Sequence, residues 1–226
     1  MLAVVLAACG SATEKKQASA PPKARTQAAK APARTASGCR VVARPGAKRV
    51  KALRPPRARL DPGKTWTATL KTSCGTIVIR LDVKGSPKTS ASFVSLARKG
   101  FYDGLSFQRV VQGFVVQGGD PRGDGTGGPG YKTVEPPRRS VHYTRGTVAM
   151  AKAGPEARGT AGSQFFIVTA KDATVSAGLT PDYAVLGRVV KGIGVATRIG
   201  SIPTNPAGDG VPEDPVVIDS ARISSR

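Results

Sequence analysis

At 226 residues, with 39% hydrophobic residues, 27 Gly and 18 Pro, the chain has room for one ordinary domain and a tail, and its composition argues against a helical bundle. No apolar run approaches the ~20 residues needed to span a bilayer as a helix. The formal charge of +21 is unevenly spread: residues 14–64 hold 15 Lys and Arg against only Glu14 and Asp61, so basicity is concentrated where a packed core is least expected.

The chain opens with MLAVVLAACG. Leu2 to Ala8 form a short apolar run ending in small residues, the pattern of a processing signal rather than of a folded element. LAAC at 6–9 resembles the lipobox of bacterial lipoproteins. That resemblance implies a signal segment over 1–9, lipidation of the Cys9 sulfur, and an extracytoplasmic protein anchored to the bacterial cell membrane. A charged n-region is missing, so the true start is expected upstream of Met1. A buried N-terminal strand is the other reading of this run, but it would have little to pair with.

Residues 10–64 are rich in Ala, Lys, Arg, Pro, Ser and Thr and poor in aromatic residues. Such a segment buries too little apolar surface to offset its ordering entropy. It reads as a largely disordered basic linker, ordered in part after Cys39, that an anionic membrane or wall polymer would attract. No aromatic residues interleave the basic ones, so nucleic acid is set aside as a partner. Outside the cytoplasm disulfides persist, and three cysteines divide into one anchor and one pair, Cys39 with Cys74. Sequence supplies no distance between these two, so the bridge stays open. With no CxxC and a single histidine, no metal site is expected.

Regular structure begins at TWTATLKTSCGTIVIRLD, where Trp66, Ala68 and Leu70 alternate with threonines and TSCG turns the chain into a return strand. In SPKTSASFVSLARKG a helix is expected, with Ser86 as N-cap, Pro87 at the first helical position and Gly100 at the close. Phe93, Val94, Leu96 and Ala97 form its apolar face. Further strands are expected at Phe107–Val111, Phe114–Gln117, Thr147–Met150, Phe165–Val168, Tyr183–Val189 and Pro215–Ile223, with a second short helix near Gly192–Arg198. Many short strands beside one or two helices predict an antiparallel sandwich or barrel over residues 65–226.

One stretch, FQRVVQGFVVQGGD at 107–120, sets an arginine and three glutamines among apolar residues. Each polar group must be hydrogen-bonded there or cost several kcal/mol. Alternation along a strand places Phe107, Arg109 and Val111 on one face, and Val115 with Gln117 after the Gly113 break. The usual catalytic patterns are missing. His142 is the only histidine, there is no GxSxG, and the acids do not pair as a glycosidase requires. GDGTGGPGY lacks the GK[ST] ending of a phosphate-binding loop and leads into no helix, so it reads as an irregular turn. What remains is Arg109, Gln117 and Gln164 as polar donors, with Phe114, Phe166 and Tyr183 as aromatics.

FQRVVQGFVVQGGDPRGDGTGGPGY and AGSQFFIVTAKD closely resemble the two signature segments of the cyclophilins, the peptidyl-prolyl cis-trans isomerases, and RGTVAMAKAGPEARGTAGSQFF and LTPDYAVLGRVVKG are similar to bacterial members. The resemblance spans roughly residues 65–223. It implies an all-β fold, an eight-stranded antiparallel closed β-barrel capped by two α-helices, with the site on the outer face. Arg109 and Gln117 are implied as the catalytic pair. Phe114, Val115, Phe166 and Leu179 are implied at the proline pocket, Ala151, Lys152 and Gln164 along the peptide groove, Phe107 as a further substrate-binding residue, and Tyr183 where many eukaryotic members carry histidine. The implied activity is rotation of X–Pro bonds in exported polypeptides, by a monomer without cofactor or metal. Gly178 stands where many members have tryptophan, which implies weak cyclosporin binding. The alternative is a cyclophilin-like peptide-binding or chaperone module with little isomerase activity.

Overall fold

The computed structural model describes residues 1–3, 32–205 and 210–226. β1 (Trp66–Thr72) and β2 (Gly75–Leu81) form the expected hairpin, with Trp66, Ala68 and Leu70 pointing inward. Helix α1 (Pro87–Arg98) follows with proline in its first turn. Its N-terminus departs from expectation, because the Ser86 side chain makes no capping bond. The carboxylate of Glu135 accepts instead from the backbone N–H groups of Lys88 (3.0 Å) and Thr89 (2.8 Å). A charge from a distant loop thus satisfies two of the free donors and complements the helix dipole. Gly100 closes the other end as predicted, at φ 66°. Its N–H reaches Ala97 O while that of Phe101 reaches Leu96 O, a Schellman closure.

Beyond α1 lie β3 (Arg109–Val111), β4 (Val115–Gly118), β5 (Thr133–Val134), β6 (Thr147–Met150), β7 (Thr160–Ala161), β8 (Phe165–Val168), α2 (Ala173–Ser176), β9 (Val185–Lys191), α3 (Ile193–Ile199) and β10 (Ile218–Ser225). Eight strands form one antiparallel sheet in the order β10-β1-β2-β9-β6-β8-β4-β3, while β5 and β7 pair separately. The β5–β7 pair and the single turn of α2 were not anticipated; α1 and α3 are the two expected helices. Among the described residues no helix is long and apolar enough to cross a membrane.

The sheet is curled into an open half-barrel rather than the closed barrel expected. Its end strands, β10 and β3, share no ladder. Among the described residues the two edges meet through the Ser106–Val217 bridge, the bond Phe107 N–H to Val216 O, and Ile218, the first residue of β10, donating to Leu105 O. β3 is three residues long, too short to add a full ladder at that seam.

Alternation sorts the strands onto two apolar clusters. Val116, Val148, Met150, Phe165 and Ile167 enter the main core with Phe93, Tyr102 and the β1–β2 hairpin. Their neighbours Val115, Ala149, Phe166 and Val168 belong to a second cluster on the opposite face, with Tyr143 and Ala173.

The linker expected over 10–64 is ordered over its C-terminal part. Residues 32–64 belong to the same compact unit as the sheet, although they form no strand or helix of their own. Cys39 and Cys74 are joined as a disulfide, and Arg40 N–H donates to Ser73 O. Val50, Leu53 and Leu60 pack on the main core. Cys9 and residues 10–31 lie outside the described residues.

Candidate functional site

On the outer face the ladders line up four residues from four strands. Arg109 of β3 is opposite Gln117 of β4, Gln117 is opposite Phe166 of β8, and Phe166 is opposite Ala149 of β6. Directly paired residues in an antiparallel sheet project to the same side. A guanidinium, an amide and an aromatic ring therefore stand in one row on a rigid sheet.

Around the row the second cluster supplies an apolar bed. Phe114, Val115, Ala151, Phe166, Leu179 and Tyr183 all belong to it, together with Val111, Val141 and Val185, which sequence reasoning did not assign. The Tyr183 ring stands edge-on to Phe166, with centroids 5.3 Å apart. Tyr143 packs against both rings. Its hydroxyl donates to Tyr183 O (2.7 Å) and accepts from the Tyr183 N–H (3.0 Å), which pins that residue's backbone. Burial holds the Tyr143 phenol protonated, pushing its pKa up to about 12. From the same side Arg158 braces the loop before Tyr183, bonding Asp182 Oδ1 (3.0 Å) and Pro181 O (2.6 Å). A hydrogen bond from Thr180, aided by Arg158, holds the Asp182 carboxyl below its ordinary value.

Gln164, just before β8, is the junction on one side of the row. Its Oε1 accepts from Gln117 Nε2 (2.9 Å) and Gln108 Nε2 (3.0 Å), while its Nε2 donates to the carbonyls of Gly125 (2.8 Å) and Gly127 (2.9 Å). The polar side chains of the 107–120 stretch thus find partners across the chain. Gln112 joins in from the β3–β4 turn, donating to Ile202 O. The glycine-rich loop is further organised by buried Asp120, which accepts from the N–H groups of Arg122 (2.8 Å) and Gly125 (2.5 Å). Lys152 lies with its ammonium 5.7 Å above the Tyr183 ring.

Phe107 does not join the site. It is fully buried in the main core, edge-on to Phe165 at 6.0 Å, because β3 begins only at Arg109 and alternation does not extend back to it. Gln108, Tyr143 and Asp120 are the supporting residues that sequence reasoning missed. Gln108 carried a signal: a glutamine beside Arg109, displaced to the buried side, has to find a partner. His142 is an exposed loop residue whose Nδ1 lies 3.4 Å from Asp172.

A curled antiparallel sheet with an apolar cluster on the face opposite its main core, edged by a guanidinium and amides, defines a β-protein whose site works by shape and hydrogen bonding, with no nucleophile or acid–base pair in the row. Residues 67–223 match the family described as cyclophilin type peptidyl-prolyl cis-trans isomerase/CLD, and the chain belongs to that family. It is 41% identical over 177 residues to peptidyl-prolyl cis-trans isomerase B of Streptomyces anulatus, covering 70% of this chain and 97% of that protein. Against peptidyl-prolyl cis-trans isomerase A of Mycobacterium tuberculosis the identity is 40% over 180 residues, covering 73% and 95%. Among solved structures it is similar to a Cryptosporidium parvum cyclophilin type isomerase crystallised in the presence of the dipeptide Ala-Pro. That match has a TM-score of 0.62 and 28% identity, and covers 71% of this chain and 99% of that one. The chain is therefore a cyclophilin-type peptidyl-prolyl cis-trans isomerase.

Proposed function

We propose that the chain rotates X–Pro bonds in exported polypeptides, with Arg109 stabilising the twisted amide above an apolar proline pocket. The row Arg109–Gln117–Phe166 carries this reading. Rotation about an amide must lose resonance, against a barrier of ~18–20 kcal/mol. In the twisted state the proline nitrogen regains a lone pair and accepts a hydrogen bond that neither planar ground state can accept as well. A donor held on a rigid sheet favours that state selectively, which is differential transition-state binding by preorganised electrostatics. Phe166, Phe114, Val115, Leu179 and Tyr183 hold the ring while the acyl side turns. Gln117, fixed by Gln164, keeps the peptide chain in place beside Arg109.

Anchoring through Cys9 outside the cytoplasmic membrane is part of the same reading. It rests on LAAC at 6–9, and the Cys39–Cys74 disulfide suits an oxidising compartment. The excess of Lys and Arg over 14–64 would hold the protein near anionic lipid headgroups or wall polymers. Labelled palmitate should enter the full chain in cells and be lost in Cys9→Ala; no incorporation would remove the anchor. For the chemistry, NMR exchange of a short X–Pro peptide is measured with the full chain and with Arg109→Ala. Fast exchange that falls about a hundredfold or more in the variant is the expected result. A folded wild type that binds the peptide without accelerating it would make the groove a peptide-binding or chaperone site.

A further inference from the structure

On the Gln164 side of the row lies a cleft of ≈ 1010 Å³. Gln117, Gln164, Ala151 and Lys152 form one side of it and the glycine-rich loop another. A third wall is residues 47–50 and 52, which lie outside the 67–223 family match. This strap is fastened at several points. Lys48 N–H donates to Pro121 O (2.7 Å) and Leu53 N–H to Pro129 O (2.8 Å). The Lys48 ammonium binds the carbonyls of Gly100, Phe101 and Asp103. At Gly130 (φ +87°) the strap lies so close that an added Cβ would sit 2.7 Å from both Ala52 Cα and Cβ. The strap is a seated part of the groove.

The cleft it completes is cationic. Lys48, Arg49, Arg122, Lys132 and Lys152 line it against one carboxylate, Glu156, which is already paired with Lys132. Lys48 is held by its three carbonyls, and Arg122 bonds Thr126. Lys152 bonds the carbonyls of Ala153 and Gly154 and lies over the Tyr183 ring, and among the described residues it has no ion pair. Arg49 is exposed and, among the described residues, has no hydrogen bond or ion pair. The apolar bed around Phe114, Val115 and Val168 lies towards the opposite end of β4 and β8, with the Arg109–Gln117–Phe166 row between. A peptide with proline on that bed reaches the cleft on one side of the proline only.

We propose that the strap is a fixed specificity wall, in which Arg49 and Lys152 receive a carboxylate side chain of the substrate a few residues from the proline, on one side of it. This rests on reading the Arg109 row as the isomerase site. The test uses the full chain and Ala-Pro peptides carrying Glu, Lys or Ala two residues before or two residues after the proline, followed by NMR exchange and by shift titration for Kd. We expect Glu to exceed Lys about three- to tenfold in kcat/KM at one of the two positions only. The ratio should shrink at high salt. Arg49→Glu should abolish or invert it, and Lys64→Glu, away from the cleft, should leave both the ratio and the turnover of the all-Ala peptide intact. Equal handling of Glu and Lys at both positions overturns the wall, and so does a Glu preference that is the same on both sides and survives Arg49→Glu, since that is general attraction to a cationic protein. If no peptide is accelerated but the one-sided Glu preference persists in Kd, the isomerase reading falls and the wall stands.

Discussion

Gln117 and Gln164 are joined by a 2.9 Å bond from the Gln117 amide to Gln164 Oε1, and that oxygen also serves Gln108. Gln164 thereby ties the residue beside Arg109 to the glycine-rich loop, whose carbonyls its own amide binds. Gln164→Ala leaves two amides and two carbonyls without that partner. The expected cost is about 1–3 kcal/mol of stability, given the desolvation of unpaired polar groups. A fall in kcat/KM of about tenfold should accompany it, as Gln117 loses its fixed orientation. Thermal melting together with NMR exchange checks both. Lost stability with intact kcat/KM would show that the network supports the loop alone.

Bond rotation moves no proton, and this separates the proposed mechanism from acid–base chemistry. Between about pH 6 and about pH 9 kcat/KM should stay flat, without the bell shape of an acid–base pair. His142→Ala should turn over peptide at the wild-type rate, since the ring is exposed on a loop beside Asp172, away from the row. A pH profile with a slope in that range would require a titrating group in the site.

Alternation made β1, β2, β6 and β8 legible, because each carries strictly alternating or continuous apolar residues between turn signals. The row itself was not legible from periodicity. Its register depends on which strands are neighbours, and β4 pairs with β8, far along the chain. The family resemblance supplied Arg109, Gln117 and Phe166, but it also brought in Phe107, which the late start of β3 turns inward. The strap was legible only in outline, as partial order after Cys39, for a different reason. Its Ala, Pro and Lys content gives no element to predict, and its order comes from Val50, Leu53 and Leu60 at wide intervals, backbone bonds from Arg40, Lys48 and Leu53, and one disulfide.

The two candidate caps of α1 make opposite predictions. Ser86 is the residue that propensity favours, but Glu135 holds the helix N–H groups. Ser86→Ala should therefore change stability by less than about 0.5 kcal/mol, and Glu135→Ala should cost about 1–2 kcal/mol, the range of a lost cap with its dipole interaction. Urea melts at neutral pH distinguish the two; equal costs would show that the Ser86 hydroxyl shares the role.

Tyr143 gives the groove a dependence on alkaline pH. Burial raises its folded pKa to about 12, above the ordinary phenol value of 10.0. The group therefore holds its proton more tightly when folded, so its stabilising contribution is complete below about pH 10 and is lost as pH rises towards about 12. A rise from 10.0 to about 12 corresponds to about 3 kcal/mol, fully lost only above about pH 12. Buried Tyr102, also shifted upward, adds in the same direction. Melting temperatures between about pH 9 and about pH 11.5 should fall, and fall less in Tyr143→Phe, which has no phenol to ionise. An equal fall in the variant would assign the loss to other groups.

Gly130 and Ala52 provide a test of whether the strap is seated in solution. At φ +87° an alanine at 130 is strained wherever its Cβ points, and here it points 2.7 Å from the strap backbone at Ala52. The loop cannot yield easily, because Asp120 and Gln164 hold it from the other side. The strap should move instead. In Gly130→Ala, hydrogen-exchange protection should drop at the Lys48 and Leu53 amides, which donate to Pro121 O and Pro129 O, and remain unchanged in β1 and β2. Cys39→Ala should produce the complementary pattern: the Arg40 amide, bonded to Ser73 O beside the disulfide, loses protection first while Leu53 keeps it. Together the two variants separate the upstream fastening of the strap from its seat on the glycine-rich loop. Leu53 protection equal to wild type in Gly130→Ala would mean that Gly130 does not set the position of the strap.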